Sequence, residues 1–204
     1  MNIGVFASGR GSNFQAILDA IQQDLLHAAV TLVVSNKADA GALEIARAHS
    51  LPAVHLNQKQ YPDDASFASA MLSVLRAHDV QMIALAGYLK KIPLDVVREY
   101  KNRILNIHPA LLPSFGGAGM YGHHVHEAVI ASGAKFSGAT VHLVDEEYDR
   151  GPIVLQKSIA VEDHETPDTL AAKVLKIEHE IYPLVLKAFA ENRVTINERS
   201  VWIH

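Results

Sequence analysis

Ile3-Gly4-Val5-Phe6-Ala7-Ser8-Gly9-Arg10-Gly11-Ser12-Asn13-Phe14 reads as an apolar strand, a glycine-rich turn and the opening of a helix. Beyond it Phe14, Ile17, Leu18, Ile21 and Leu25 recur with a helical period, which makes one helix face apolar. The same alternation continues along the chain. Short apolar runs at Ile3 to Ala7, Val30 to Val34, Ala53 to Leu56, Met82 to Ala86 and Ile104 to Ile107 are candidate strands, and further ones fall at Ala139 to Val144 and Ile153 to Ile159. Strands separated by helical patterns predict an α/β fold with a Rossmann-like, mostly parallel central sheet and helices on both faces.

Phe67, Ala70, Met71, Val74 and Leu75 mark a second amphipathic helix. Pro93 suits the first turn of a short helix that turns Val96, Val97 and Tyr100 inward. Pro109 to Gly122 holds two prolines and four glycines and reads as a long loop, followed by a helix over Val125 to Ser132. Thr166-Pro167 is an N-cap and first-turn proline for a last long helix with Leu170, Val174, Ile177 and Ile181 on its apolar face. Pro183 should bend or interrupt that helix.

With 204 residues, the expectation is one domain spanning 1–204, large enough to bury a substantial core. The absence of cysteine removes disulfides, thiolate zinc sites and cysteine nucleophiles together. A formal net charge of −4 and scattered Lys and Arg argue against nucleic acid as a partner. No apolar run approaches the roughly 20 residues needed to span a bilayer, so no membrane partner is expected and the expected location is cytoplasmic.

Ser8-Gly9-Arg10-Gly11-Ser12-Asn13 follows the first strand directly. Glycines let the backbone approach a ligand closely, and amides at a helix N-terminus favour an anion. Ser12 with Gln15 also has the spacing of a capping box. Phe14 stands where a dinucleotide fingerprint wants its third glycine, and no Lys-Ser or Lys-Thr follows as in a P-loop. A monophosphate fits better.

Asn106-Ile107-His108-Pro109 lies at the end of a candidate strand, and Asp149-Arg150-Gly151-Pro152 at a turn some forty residues later. Each segment alone reads as an ordinary strand end or acidic turn. Strand alternation, however, puts Asn106 and His108 on one face and Leu105 and Ile107 on the other. An amide that stabilises an oxyanion, an imidazole that exchanges protons and a carboxylate that favours the imidazolium suffice for acyl transfer. Asp149 would then raise the pKa of His108.

These segments, with Val34-Ser35-Asn36-Lys37, Leu85-Ala86-Gly87-Tyr88-Leu89, Ala110-Leu111-Leu112-Pro113 and Glu178-His179-Glu180-Ile181-Tyr182-Pro183, closely resemble the glycinamide ribonucleotide formyltransferases, folate-dependent enzymes of purine biosynthesis. The resemblance covers nearly the whole chain and implies the formyltransferase fold. It implies transfer of a formyl group from 10-formyltetrahydrofolate, a cosubstrate, to the amine of glycinamide ribonucleotide, with no metal. Asn106, His108 and Asp149 would be catalytic; Gly11, Ser12 and Asn13 would hold the substrate phosphate; Glu178 would hold its ribose. Leu89, Lys90, Lys91, Ile92, Asn106, Val144 and Asp145 would border the folate. Small-molecule substrates are the implied partners of a monomer or homodimer. A basic residue that relatives offer to the folate's glutamate tail falls near Asp64 here, which leaves Lys59, Lys90 and Lys91 as substitutes.

Two other readings compete. A 10-formyltetrahydrofolate deformylase would run the same chemistry with water in place of the amine. A metal-dependent hydrolase is suggested by His123, His124 and His126 with His108, His142 and Asp149. Two of those histidines, His124 and His126, are two apart and cannot share one helix face.

Overall fold

The computed structural model describes residues 1–204. The chain forms β1 (Asn2–Phe6), α1 (Ser12–Gln22), β2 (Ala29–Ser35), α2 (Gly41–Ala48), β3 (Ala53–His55), α3 (Asp64–Ala77), β4 (Met82–Leu85), α4 (Leu94–Glu99) and β5 (Ile104–His108). It continues with α5 (His123–Ser132), β6 (Phe136–Leu143), β7 (Ile153–Ala160), α6 (Pro167–Ala190), β8 (Val194–Asn197) and β9 (Ser200–Ile203). Seven strands join one sheet in the order β3-β2-β1-β4-β5-β6-β7, while β8 and β9 pair as a separate hairpin. Pairings among β1 to β5 are parallel and β6 runs antiparallel to β7, so the sheet is mostly parallel, as the alternation of strands and helices predicts.

Two compact units divide the chain, Met1–Asn106 and Ile107–His204. In the first, β1 is central and buried on both sides, pairing with β2 and β4. Continuous burial from Ile3 to Ala7 explains why its sequence is a solid apolar run instead of an alternating one. Phe14, Ile17 and Leu18 of α1 and Phe67, Met71 and Leu75 of α3 are buried as their spacing predicts. Leu25 is not: α1 ends at Gln22, and Leu25 is 54% exposed in the turn beyond. Pro93 is the N-cap of α4, one place before its expected position, with Val96, Val97 and Tyr100 buried.

In the second unit α6 packs on β6, β7 and α5, and β9 lies against β7. The Thr166 side chain accepts from the Thr169 amide and the Thr169 hydroxyl accepts from the Thr166 amide, a reciprocal cap worth about 1 kcal/mol. Leu170, Val174, Ile177 and Ile181 form the buried stripe. Pro183 does not interrupt the helix, which continues to Ala190. No helix is long and apolar enough to cross a membrane.

Candidate active site

The first unit presents the glycine-rich loop. Gly11 is the N-cap of α1 at φ 85, and a Cβ there would stand 2.9 Å from the Cα of Ala42. Both the left-handed backbone and the close approach of α2 therefore demand glycine. The capping box expected between Ser12 and Gln15 does not form: Ser12 is already the first helical residue, and the Gln15 side chain instead donates to Asp19 at 2.8 Å. The helix consequently has no side-chain cap and no acid in its first turn. No acid of the helix's own first turn opposes an anion at that end. Asn13 is buried beside half-buried Ser12.

Leu89, Lys90 and Lys91 are exposed on the segment after β4, while Ile92 is buried. Asp64 opens α3 and accepts from the Gln58 side chain at 2.5 Å. Lys59 sits on the adjoining 3-10 turn, whose cap is Asn57.

β5 places Asn106 and His108 two residues apart, with Asn106 half-buried and His108 3% exposed. In the second unit, His108 Nδ1 lies 3.7 Å from Asp149 Oδ2. A third group completes the cluster: His142 Nε2 lies 3.6 Å from Asp149 Oδ1. Each ring uses its other nitrogen on a backbone carbonyl, His108 Nε2 on Phe115 O at 2.8 Å and His142 Nδ1 on Leu143 O at 2.8 Å. A carbonyl only accepts, so His108 Nε2 and His142 Nδ1 carry hydrogens. The Gly117 amide donates to Asp149 Oδ2 at 2.9 Å.

Several backbone features hold this arrangement. Asp149 at φ 53 and Phe115 at φ 54 are both left-handed, an uncommon conformation for side-chain-bearing residues and most unusual for one as bulky as Phe. Gly151 packs so closely under the end of β6 that a Cβ would lie 1.8 Å from the Leu143 carbonyl oxygen. Thr140 on β6 donates to Ala110 O at 2.6 Å and accepts from the Leu112 amide at 3.1 Å, tying down the start of the long loop after His108.

The electrostatic balance departs from the sequence expectation. Burial pushes the His108 pKa down and outweighs the Asp149 charge, which pushes it up, so the net direction is a lowering. For Asp149, burial is the largest single influence and acts upward. The His142 ring, the Gly117 amide and the charges of both histidines together overcome it and keep the carboxylate below its ordinary range. The site thus holds an ionised carboxylate between two histidine rings.

The sequence groups His142 with His108 and Asp149 only as a metal set; its approach to the Asp149 carboxylate in the acyl-transfer cluster is an addition from the structure. The available sign is its two-residue spacing from Thr140 on the strand, since both polar groups then share one face. Glu178 on α6 is 8% exposed, so it is not an ordinary solvated helix acid. Val144 and Asp145 are half-buried beyond β6, and Asp145 accepts from the Glu147 amide at 2.9 Å. His123 and His124 are exposed and pair with Glu127, whereas His126 is buried. No group of three or more His, Asp or Glu side chains is arranged to hold a metal.

An α/β sheet carrying a carboxylate between two imidazole rings has the groups that acyl transfer needs. Residues 1–186 match the formyl transferase family, and the chain belongs to it. It is 45% identical over 200 residues to phosphoribosylglycinamide formyltransferase, chloroplastic, of Arabidopsis thaliana, covering 98% of this chain and 68% of that protein. It is 40% identical over 183 residues to phosphoribosylglycinamide formyltransferase of Bacillus subtilis (strain 168), covering 90% and 91% of the two chains. Glycinamide ribonucleotide transformylase 1 from Symbiobacterium toebii superposes with a TM-score of 0.93 at 38% identity, covering 100% of this chain and 93% of that one.

Proposed function

We propose that residues 1–204, acting as one formyltransferase domain in the cytoplasm, transfer the formyl group of 10-formyltetrahydrofolate to the amine of glycinamide ribonucleotide. The products are formylglycinamide ribonucleotide and tetrahydrofolate. The observation that carries this reading is the buried approach of His108 to Asp149 at 3.7 Å in a chain of this family. The names of the relatives favour an amine over water as acceptor.

In this reading Gly11, Ser12 and Asn13 hold the phosphate at the uncapped start of α1, and buried Glu178 accepts from ribose hydroxyls. Leu89 to Ile92, Asn106, Val144 and Asp145 border the folate. Exposed Leu89, an apolar side chain in water, suits a flat heterocycle. The substrate amine attacks the formyl carbon, the bond from that carbon to the folate nitrogen breaks, and the proton lost by the amine is delivered to that nitrogen. Asn106 donates to the oxygen of the tetrahedral intermediate. His108, held by Asp149, donates to the same oxygen from Nε2 and carries the proton, directly or through a water. In the free chain the Phe115 carbonyl occupies the acceptor position at Nε2.

The test is an assay of the purified protein with both substrates and a control lacking the amine. Formyl transfer is expected, with little folate released without amine; the reverse pattern would assign the deformylase. Asn106→Ala should lower kcat by about 10²–10³, the loss seen on removing one oxyanion donor. Unchanged turnover would remove Asn106 from the mechanism.

A further inference from the structure

Ser8 is 2% exposed at the end of β1, outside the residues assigned to substrate. Its hydroxyl donates to Asn36 Oδ1 at 2.5 Å and accepts from the Leu89 amide at 2.8 Å, and its own amide donates to Gly87 O at 3.0 Å. Asn36, 7% exposed, follows β2, and its carbonyl accepts from the Asn57 side chain at 3.0 Å. One hydroxyl thus stitches together the ends of β1, β2 and β4. The chain can turn into this stitch because Gly87 adopts φ 79, and Tyr88 is anchored edge-on against Phe6 with ring centroids 5.4 Å apart.

The partners of the hydroxyl are not interchangeable. The Leu89 amide lies beyond the last residue of β4 and has left the sheet's regular pairing. A backbone amide at such a place needs an acceptor, and a buried side chain supplies it. Asn36 in turn fixes the hydroxyl rotor: by taking its hydrogen, the Oδ1 turns the oxygen lone pairs toward Leu89. Ser8 is also three residues before Gly11, so the loop assigned to the phosphate and the segment assigned to the folate hang from the same side chain.

We propose that Ser8, oriented by Asn36, is a positioning residue that sets the backbone of Leu89 to Ile92 for the folate and couples this wall to the phosphate loop. This rests on the reading that Leu89 to Ile92 border the cosubstrate. Neither residue touches the reacting atoms, so the role belongs to binding and not to the chemical step.

Ser8→Ala removes the acceptor and the stitch. The KM for 10-formyltetrahydrofolate should rise about five-fold, the equivalent of one net hydrogen bond, with kcat at saturation within about two-fold of wild type. Asn36→Ala frees the rotor but keeps the acceptor, and should raise the same KM by a smaller factor. A structural role alone would lower the active fraction, hence kcat, and leave KM where it was. In the free protein, hydrogen exchange at the Leu89 amide should be faster in Ser8→Ala than in wild type, a readout that needs no substrate. An unchanged folate KM in Ser8→Ala, or a fall in kcat at constant KM, overturns the proposal. So does Leu89 exchange equal to that of wild type. Should Ser8→Ala fail to fold, Asn36→Ala decides by the same two measurements. A wild-type protein that does not formylate glycinamide ribonucleotide defeats the proposed function instead, while the exchange result still reports on the stitch.

Discussion

Lowering the pH from 7 to 4 should destabilise this protein through His126, a buried histidine on α5. The residue is 5% exposed, its Nδ1 has no hydrogen-bond partner, and burial, reinforced by the nearby charges of His123 and His108, pushes its pKa down from 6.5 to about 4. Because the folded pKa is below the unfolded one, the unfolded chain binds more protons throughout that interval. Stability is therefore complete above pH 6.5 and drains away as the pH falls toward 4. The difference is worth roughly 3 kcal/mol at full development, a sizeable share of the 5–15 kcal/mol typical of a folded domain. Denaturant unfolding from pH 7.5 to 4, on wild type and His126→Leu, measures it. Contributions from His108 and Asp149 fall on both proteins, so the wild-type minus variant difference isolates His126, less any coupling between the two histidines. That difference should shrink by roughly 3 kcal/mol as the pH drops from 7 to 4. Parallel curves with a constant offset would show that His126 titrates alike in both states, and the reasoning would fail.

Two further outcomes follow from the same structure. Asp149→Asn removes the charge that opposes burial at His108, so the His108 pKa should fall further, and an NMR titration with no change would dissolve the pairing. Glu178→Ala should raise the KM for glycinamide ribonucleotide about ten- to a hundred-fold, the range for a hydrogen bond to a charged group, with the folate KM unchanged; equal effects on both would point to lost stability of α6.

Much of this was legible in the sequence because the physics was local. The buried strand at Ile3 to Ala7, the cap at Thr166 and the shared face of Asn106 and His108 each follow from spacing within a few residues. What escaped lacks such a mark. α2 has Ala40 as its N-cap, with no capping side chain, and runs only eight residues, so no start signal announces it. The β8–β9 hairpin turns through Asn197-Glu198-Arg199-Ser200 with Glu198 at φ 53, where a reader looks for glycine. The pairing of His142 with Asp149 depends on how the turn after β6 folds back, a non-local fact. Leu25 was misplaced because a helical period continues on paper past the point where the helix has stopped.

The unexpected direction at His108 fits the proposed chemistry better than the raised pKa that a carboxylate partner alone suggests. A histidine permanently charged by Asp149 would be an oxyanion partner but a poor acceptor for the proton that the amine must lose. Burial lowers its affinity for the proton in the free protein, and His142 competes for the same carboxylate. When the tetrahedral intermediate forms, its oxygen adds negative charge in the same low-dielectric space, and that charge raises the affinity of the imidazole for a proton. The imidazolium is then favoured at the stage where the oxyanion needs it, and disfavoured again once the folate nitrogen leaves with the proton. In the proposed mechanism, one carboxylate set between two buried imidazoles lets the charge of His108 respond to the reaction instead of standing fixed beforehand.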